Sequence, residues 1–261
     1  MTLLAILMGT LTAGLGSVWL AALLSFGVLA RYTQHMLSLA AGALLATAFL
    51  HLLPVAFEGS VDAHNLFMVL LAGLIFFFLL DKAELWHHGH EHGHDHNHVN
   101  HSPAEPHGHA ATTGIWAVLV GDSVHCFGDG VLIASAFMAD LRLGVVASLA
   151  VLAHEVPHHM GDLSVLRSGA GNRRTALVKV SLAGAVTALG GLLGYWLVER
   201  LQAYLPYFLV VASSSFVYVA LADLIPQLQK HLDARETAAQ VIWLACGVGL
   251  VTLVSGFAHV H

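Results

Sequence analysis

Apolar residues run through this chain in long blocks rather than at the spacing of an amphipathic helix or strand. Eight blocks, 3–30, 35–57, 65–86, 114–138, 143–166, 175–198, 206–229 and 238–260, are each long enough to cross a hydrocarbon layer as a helix. Such a layer is about 30 Å thick and takes about 20 residues at 1.5 Å each. It offers no water to loose backbone groups, so blocks of this kind predict helices; barrel strands would alternate over about ten residues instead. The first block, MTLLAILMGTLTAGLGSVWLAALLSFGVLA, has no basic residue before Arg31. It is also far longer than the apolar run of a secretory signal, so a retained first membrane helix is expected.

Composition agrees with the pattern. Hydrophobic residues make up 57% of the chain and charged residues 10%, with a mean hydropathy of +0.75. A soluble domain carries about 25% charged residues, so there is too little charge here to coat a water-facing surface. Cys126 and Cys246 both lie in apolar blocks and form no C-x-x-C pair, which excludes a disulfide framework. No basic patch interleaved with aromatics points to nucleic acid. Arg31, Lys82, Arg167, Arg173, Arg174, Lys179, Lys230 and Arg235 fall at the loops after odd-numbered blocks, against Arg142 and Arg200 after even ones. The positive-inside rule then puts the odd loops in the cytoplasm and both termini outside.

One loop is biased. Residues 87–109, HHGHEHGHDHNHVNHSPAEPHGH, hold His87, His88, His90, His92, His94, His96, His98, His101, His107 and His109. Glycine, asparagine, proline and the polar excess argue against packed structure. Neutral imidazole binds zinc, copper and nickel well, so the segment reads as a cytoplasmic metal collector; the plainer reading is a solvated linker that binds metal incidentally. The expected organisation is helices one to three in 1–86, the His-rich loop in 87–113, helices four and five in 114–166, and helices six to eight in 167–261.

Two short segments resemble each other. FLHLLP (49–54) and LADLIP (221–226) each place one polar residue, His51 or Asp223, three positions before a proline. On the topology above, His51 lies in the outer third and Asp223 in the inner third. Mirrored pairs of this kind mark transporters built from inverted repeats.

The fourth and fifth blocks carry the chemistry. His125 and Asp129 share one face of the fourth helix at i,i+4 spacing; His154 and His158 repeat it on the fifth, with Glu155 beside them and His159 following. Ionisable residues at mid-membrane cost at least about 2.5–3.5 kcal/mol each, so they mark a function. Imidazole and carboxylate together suit zinc, and also iron, manganese, cobalt or cadmium. Asp129 and Glu155 supply two negative charges, which one divalent cation balances.

HEVPH (154–158) also satisfies the H-E-x-x-H pattern of zinc proteases. That motif normally occupies an unbroken helix with Glu as general base. Pro157 removes a backbone donor and is expected to loosen the helix beside Ala153, as Gly128 and Gly130 are expected to loosen the fourth helix around Asp129. Interrupted helices suit an ion that enters and leaves. An intramembrane zinc metalloprotease and a membrane metal sensor remain as alternatives to a metal transporter.

HCFGDG in the fourth helix and HEVPHHMGD in the fifth resemble the two signature helices of the ZIP family of metal transporters, in the branch with H-E-x-P-H-E-x-G-D. AFLHLLP, GDSVH, FVYVALADLIPQL and the position of the His-rich loop extend the resemblance over most of the chain. It implies an all-α membrane protein of eight transmembrane helices in a 3+2+3 arrangement, with helices 1–3 and 6–8 as inverted repeats around helices 4–5. It implies no enzyme activity, but movement of zinc and other divalent ions into the cytoplasm by an elevator-like motion of the core. Metal ligands are placed at His125, Asp129, His154, Glu155 and His158. Cys126 stands where the family has Asn, and His159 where this branch has Glu, which bears on metal preference. Asp122 and Asp162 are expected on the cytoplasmic side of the site as a second step on an exit route towards the His-rich loop, or as local helix-end pairs. The expected setting is a bacterial inner (plasma) membrane, with divalent ions, lipid and a second copy in a homodimer as partners.

Overall fold

The computed structural model of the protein describes residues 1–24, 33–89, 108–170, 172–229 and 233–257. Among them the regular structure is helical: α1 (Thr2–Leu24), α2 (Thr33–Phe57), α3 (Ala63–Gly89), α4 (Gly108–Ala139), α5 (Leu141–Ala170), α6 (Arg173–Arg200), α7 (Gln202–Leu228) and α8 (Ala234–Phe257). Each coincides with one apolar block. Most of the His-rich stretch, 90–107, lies outside the described residues; His87 and His88 fall in the last turn of α3, and His109 in the first of α4.

The helix starts follow local chemistry. Asp140 separates α4 from α5, and its carboxylate accepts from the backbone N–H groups of Arg142 and Leu143 at 2.8 and 3.4 Å. Asn172 does the same for α6, accepting from Arg174 N–H at 3.0 Å. Both satisfy donors that have no partner within the helix.

Among the described residues, α1, α2, α3, α6, α7 and α8 each hold a stretch long and apolar enough to cross a membrane. α4 and α5 carry the clustered ionisable residues, which lowers their hydropathy. α3 and α8 lie outermost, with only 11% of their apolar windows buried, against 61% for α2. Phe67, Met68 and Leu71 on α3 and Val241, Ile242 and Leu253 on α8 are exposed. Large apolar side chains in unbroken exposed rows require an apolar surrounding, as acyl chains supply.

Glycines set how closely the helices approach, as small residues do between membrane helices. A Cβ on Gly130 of α4 would lie 2.0 Å from Thr187 O of α6, and one on Gly190 of α6 would lie 2.0 Å from Phe127 O of α4. Gly14 of α1 meets Gly184 O of α6 in the same way, at 2.1 Å. These contacts tie α1, α4 and α6 together, with α5 packed alongside. Two further pairs are tied likewise: α2 with α8, by Gly42 against Leu244 O and Gly247 against Leu39 O, and α3 with α7, by Gly73 against Ser214.

The interruptions fall elsewhere than the sequence indicates. α5 continues from Leu141 to Ala170 with Pro157 inside it, because one missing backbone bond is tolerated when neighbouring helices hold both halves. Gly130 is a packing residue and not a point of loosening. Instead, α1, α2 and α7 each contain a π-turn, at Thr12–Gly16, Ala48–Leu52 and Val219–Leu224. The last two hold His51 and Asp223, and each leads into a proline, Pro54 or Pro226, in the next helical turn. π-turns recur at functional positions, and the pair gives the FLHLLP–LADLIP likeness a shared backbone form.

Candidate metal centre

Side chains from α4 and α5 meet where the two antiparallel helices pack. His125 Nε2 lies 3.3 Å from His154 Nε2 and 3.2 Å from Glu155 Oε1. His154 Nε2 lies 3.2 Å from the same Glu155 oxygen and 3.3 Å from Asp129 Oδ2. His154, Glu155 and Asp129 are buried, and His125 is partly open to a cavity.

These distances decide what the cluster can hold. Zinc bonds of about 2.0–2.2 Å in a tetrahedron put neighbouring donors about 3.3–3.6 Å apart. Four of the six edges of such a tetrahedron are therefore present at 3.2–3.3 Å. Protonation points the same way. His154 Nδ1 faces the Ala150 carbonyl at 3.4 Å, and a carbonyl only accepts, so Nδ1 carries a hydrogen and, in the neutral ring, Nε2 presents a lone pair. Asp129 Oδ2 and Glu155 Oε1 are buried without a hydrogen-bond donor. Two buried carboxylates are costly unless positive charge lies against them, which either a bound cation or a protonated imidazole at these distances supplies.

His158 is directed elsewhere. Its ring stacks on His125 at 5.4 Å, but Nδ1 faces Asp162 Oδ2 at 3.2 Å and Asp122 Oδ1 at 3.8 Å. It thus forms a separate group, Asp122–His158–Asp162, adjacent to the first. His159 turns to the other side of α5 and lies with Asp122, Cys126 and Glu155, all four buried. The donors that the sequence placed in one set are divided among three, with Glu155 in two of them.

A cavity of about 260 Å³ opens onto the centre, and His125, Asp129, His154 and His158 form part of its wall. Further wall residues lie outside the set expected from sequence: Asp81 on α3, and Tyr218 and Gln227 on α7 beside Asp223. Tyr218 Oη donates to Asp81 Oδ2 at 3.0 Å, and Gln227 Nε2 donates to Asp223 Oδ1 at 2.8 Å. Leu37 near the start of α2, Asp81 late in α3 and Gln227 late in α7 all belong to the half of the bundle next to the odd-numbered loops. His51 is half-buried on α2 and is not part of this wall. The signal for Asp81 was available as an acid inside an apolar block; Tyr218 and Gln227 carry none.

An all-helical bundle with exposed apolar flanks defines an integral membrane protein, and its buried cluster of imidazoles and carboxylates is a candidate metal centre. Residues 81–255 match the family described as ZIP Zinc transporter, and the chain belongs to that family. Zinc transporter ZIP13 of Pongo abelii is 28% identical over 281 residues, covering 96% of this chain and 78% of the relative. Zinc transporter ZIP10 of Mus musculus is 36% identical over 152 residues, or 57% of this chain. Zinc transporter ZIP4 of Homo sapiens is 37% identical over 139 residues, or 52% of this chain. The chain spans 18% of the length of ZIP10 and 20% of ZIP4, so those two proteins are far longer than the shared region.

Proposed function

We propose that the protein carries divalent metal ions, zinc foremost, across a membrane through the His125–Asp129–His154–Glu155 centre. The observation that carries this reading is the set of tetrahedral edge lengths between four inward-facing donors, two of them carboxylates without a hydrogen-bond donor. Cadmium, iron, manganese and cobalt fit the same donor types. All eight helices cross the membrane on this reading, in a 3+2+3 order, and the matching π-turns of α2 and α7 support the inverted repeat. The cavity then opens to the cytoplasmic side, because the odd-numbered loops hold most of the Lys and Arg.

Metal leaving the centre meets His158 with Asp122 and Asp162, then the cavity wall at Asp223, and then the His-rich segment 87–109. His51 lines the opposite approach. Alternating access has a mechanical basis in the glycine-tied helices: α1, α4, α5 and α6 move with the metal against the pairs α2–α8 and α3–α7. Movement, not hydrolysis, is the role of the H-E-x-x-H pattern here. Glu155 lies against two histidine Nε2 atoms as a ligand, where a general base would face a free water.

Deleting 87–109 is expected to remove much of the total bound zinc while leaving substantial uptake into liposomes. The composition of the segment argues for weak, exchangeable sites, which would act by local concentration. The comparison is bound-metal count and initial uptake rate beside Asp129→Ala. Uptake lost in the deletion but kept in Asp129→Ala would reverse the assignment.

A further inference from the structure

We propose that Tyr218 of α7 is a positioning residue for metal release: it turns the Asp81 carboxylate of α3 into the cavity, where that charge lowers the barrier for a cation leaving the centre. The inference rests on the metal-handling reading above and gives the α3–α7 side of the cavity a part in it. Asp81 lies late in α3, whose surface is largely exposed and apolar; Phe76, Phe78, Leu79 and Leu80 nearby are all exposed. An acid in such a row is costly against lipid and gains by turning to any polar surface. Its neighbour Lys82 lies along the outer face, with Nζ 6.0 Å from the centre of the Phe78 ring. Asp81 is held the other way. Tyr218 Oη donates to Asp81 Oδ2 at 3.0 Å, and both residues line the cavity with His125, Asp129, His154 and His158. A phenol O–H donating to a carboxylate is a charge-assisted bond, about twice as strong as one between neutral groups.

The backbone of α7 is shaped for this wall. Ser215, Val219, Asp223 and Gln227 all line the cavity, at steps of four residues. In an α-helix of 3.6 residues per turn each such step overshoots by about 40°, so three would carry Gln227 about 120° off the face of Ser215. The π-turn at Val219–Leu224, directly after Tyr218, is wider and takes up that excess. One helical turn before Tyr218, α3 and α7 are pinned together: a Cβ on Gly73 would lie 2.1 Å from Ser214 Oγ. Gln227 does for Asp223 what Tyr218 does for Asp81, its Nε2 donating to Oδ1 at 2.8 Å. Two carboxylates on this side are thus each held by a donor from α7. A cleft lined by one sign of charge gathers counter-ions and speeds their passage by roughly 10- to 1000-fold. A lower barrier speeds entry and exit alike, so the wall changes rates and leaves the affinity of the centre as it was.

The test loads the purified full-length protein with zinc and follows transfer of the metal to excess chelator by stopped flow. The phase missing from Asp129→Ala reports the centre. Tyr218→Phe, which keeps the ring and removes the bond, is expected to slow that phase at least about fivefold, with zinc affinity by equilibrium dialysis within about twofold of wild type. Asp81→Asn is expected to do the same. Tyr218→Phe added to Asp81→Asn should slow release no further, because the tyrosine acts through that charge. Tyr204→Phe, outside the cavity wall, is expected to match wild type. A release rate equal to wild type in Tyr218→Phe or in Asp81→Asn, a loss of affinity as large as the loss of rate, or additive slowing in the double variant would overturn the proposal. Release that depends on Tyr218 in a protein that accumulates no zinc in liposomes would count against transport and leave the role of Tyr218 standing.

Discussion

Glu155→Ala and Asp129→Ala are each expected to lower zinc affinity at the centre by more than about 100-fold, and to lower zinc uptake with it. Removing even an outer partner of a metal ligand costs about 10–100-fold, and these residues are proposed as the ligands themselves. Each is buried, and each is a carboxylate oxygen within 3.3 Å of a histidine Nε2. Glu155 should be the more damaging, because its two oxygens face different donor sets. His125→Ala and His154→Ala should behave like Asp129→Ala. His158→Ala should reduce turnover more than affinity at the centre, since its Nδ1 faces Asp162 and Asp122. The check is equilibrium dialysis and uptake on variants that remain monodisperse in detergent. Near-normal uptake in any three of His125→Ala, Asp129→Ala, His154→Ala, Glu155→Ala and His158→Ala would remove the pocket from the account.

Gly130→Ala should destabilise the protein by at least about 3 kcal/mol, at the upper end of what overpacking costs. The added methyl would lie 2.0 Å from Thr187 O and 2.7 Å from Gly191 N, both backbone atoms that cannot rotate away. Gly128→Ala, two residues earlier on the same helix, should be nearly neutral in stability, as nothing lies within 4 Å of its new methyl. Thermal unfolding in detergent separates the two. A Gly130→Ala midpoint equal to wild type would show that α4 and α6 are not locked as described.

How much of this was legible in the sequence depended on the physical scale of each feature. Apolar blocks announced the eight helices because membrane thickness dictates helix length. The i,i+4 pairs His125–Asp129 and His154–His158 announced a buried cluster of metal-ligand types because charge inside an apolar block is costly. Which donors share an ion was not legible. Spacing along α5 puts His154 and His158 on one face, yet only rotamers decide that His158 turns to Asp162. Tyr218 was not legible either, since a tyrosine in an apolar block looks like packing until Asp81 is seen against it. Pro157 misled for a related reason. Its local effect on the helix is a lost backbone bond, but α5 remains helical on both sides of it, while the π-turns of α1, α2 and α7 had no comparable local signal. Gly130 was likewise assigned to flexibility when its missing side chain serves close contact with α6.

The measurement that bears most directly on the account is accumulation of radioactive zinc by sealed liposomes holding the purified protein. Saturable accumulation above empty liposomes, competed by cadmium and lost in Asp129→Ala, is the predicted result. Stoichiometric zinc binding with no accumulation inside the vesicles would contradict it and leave a membrane metal sensor in its place.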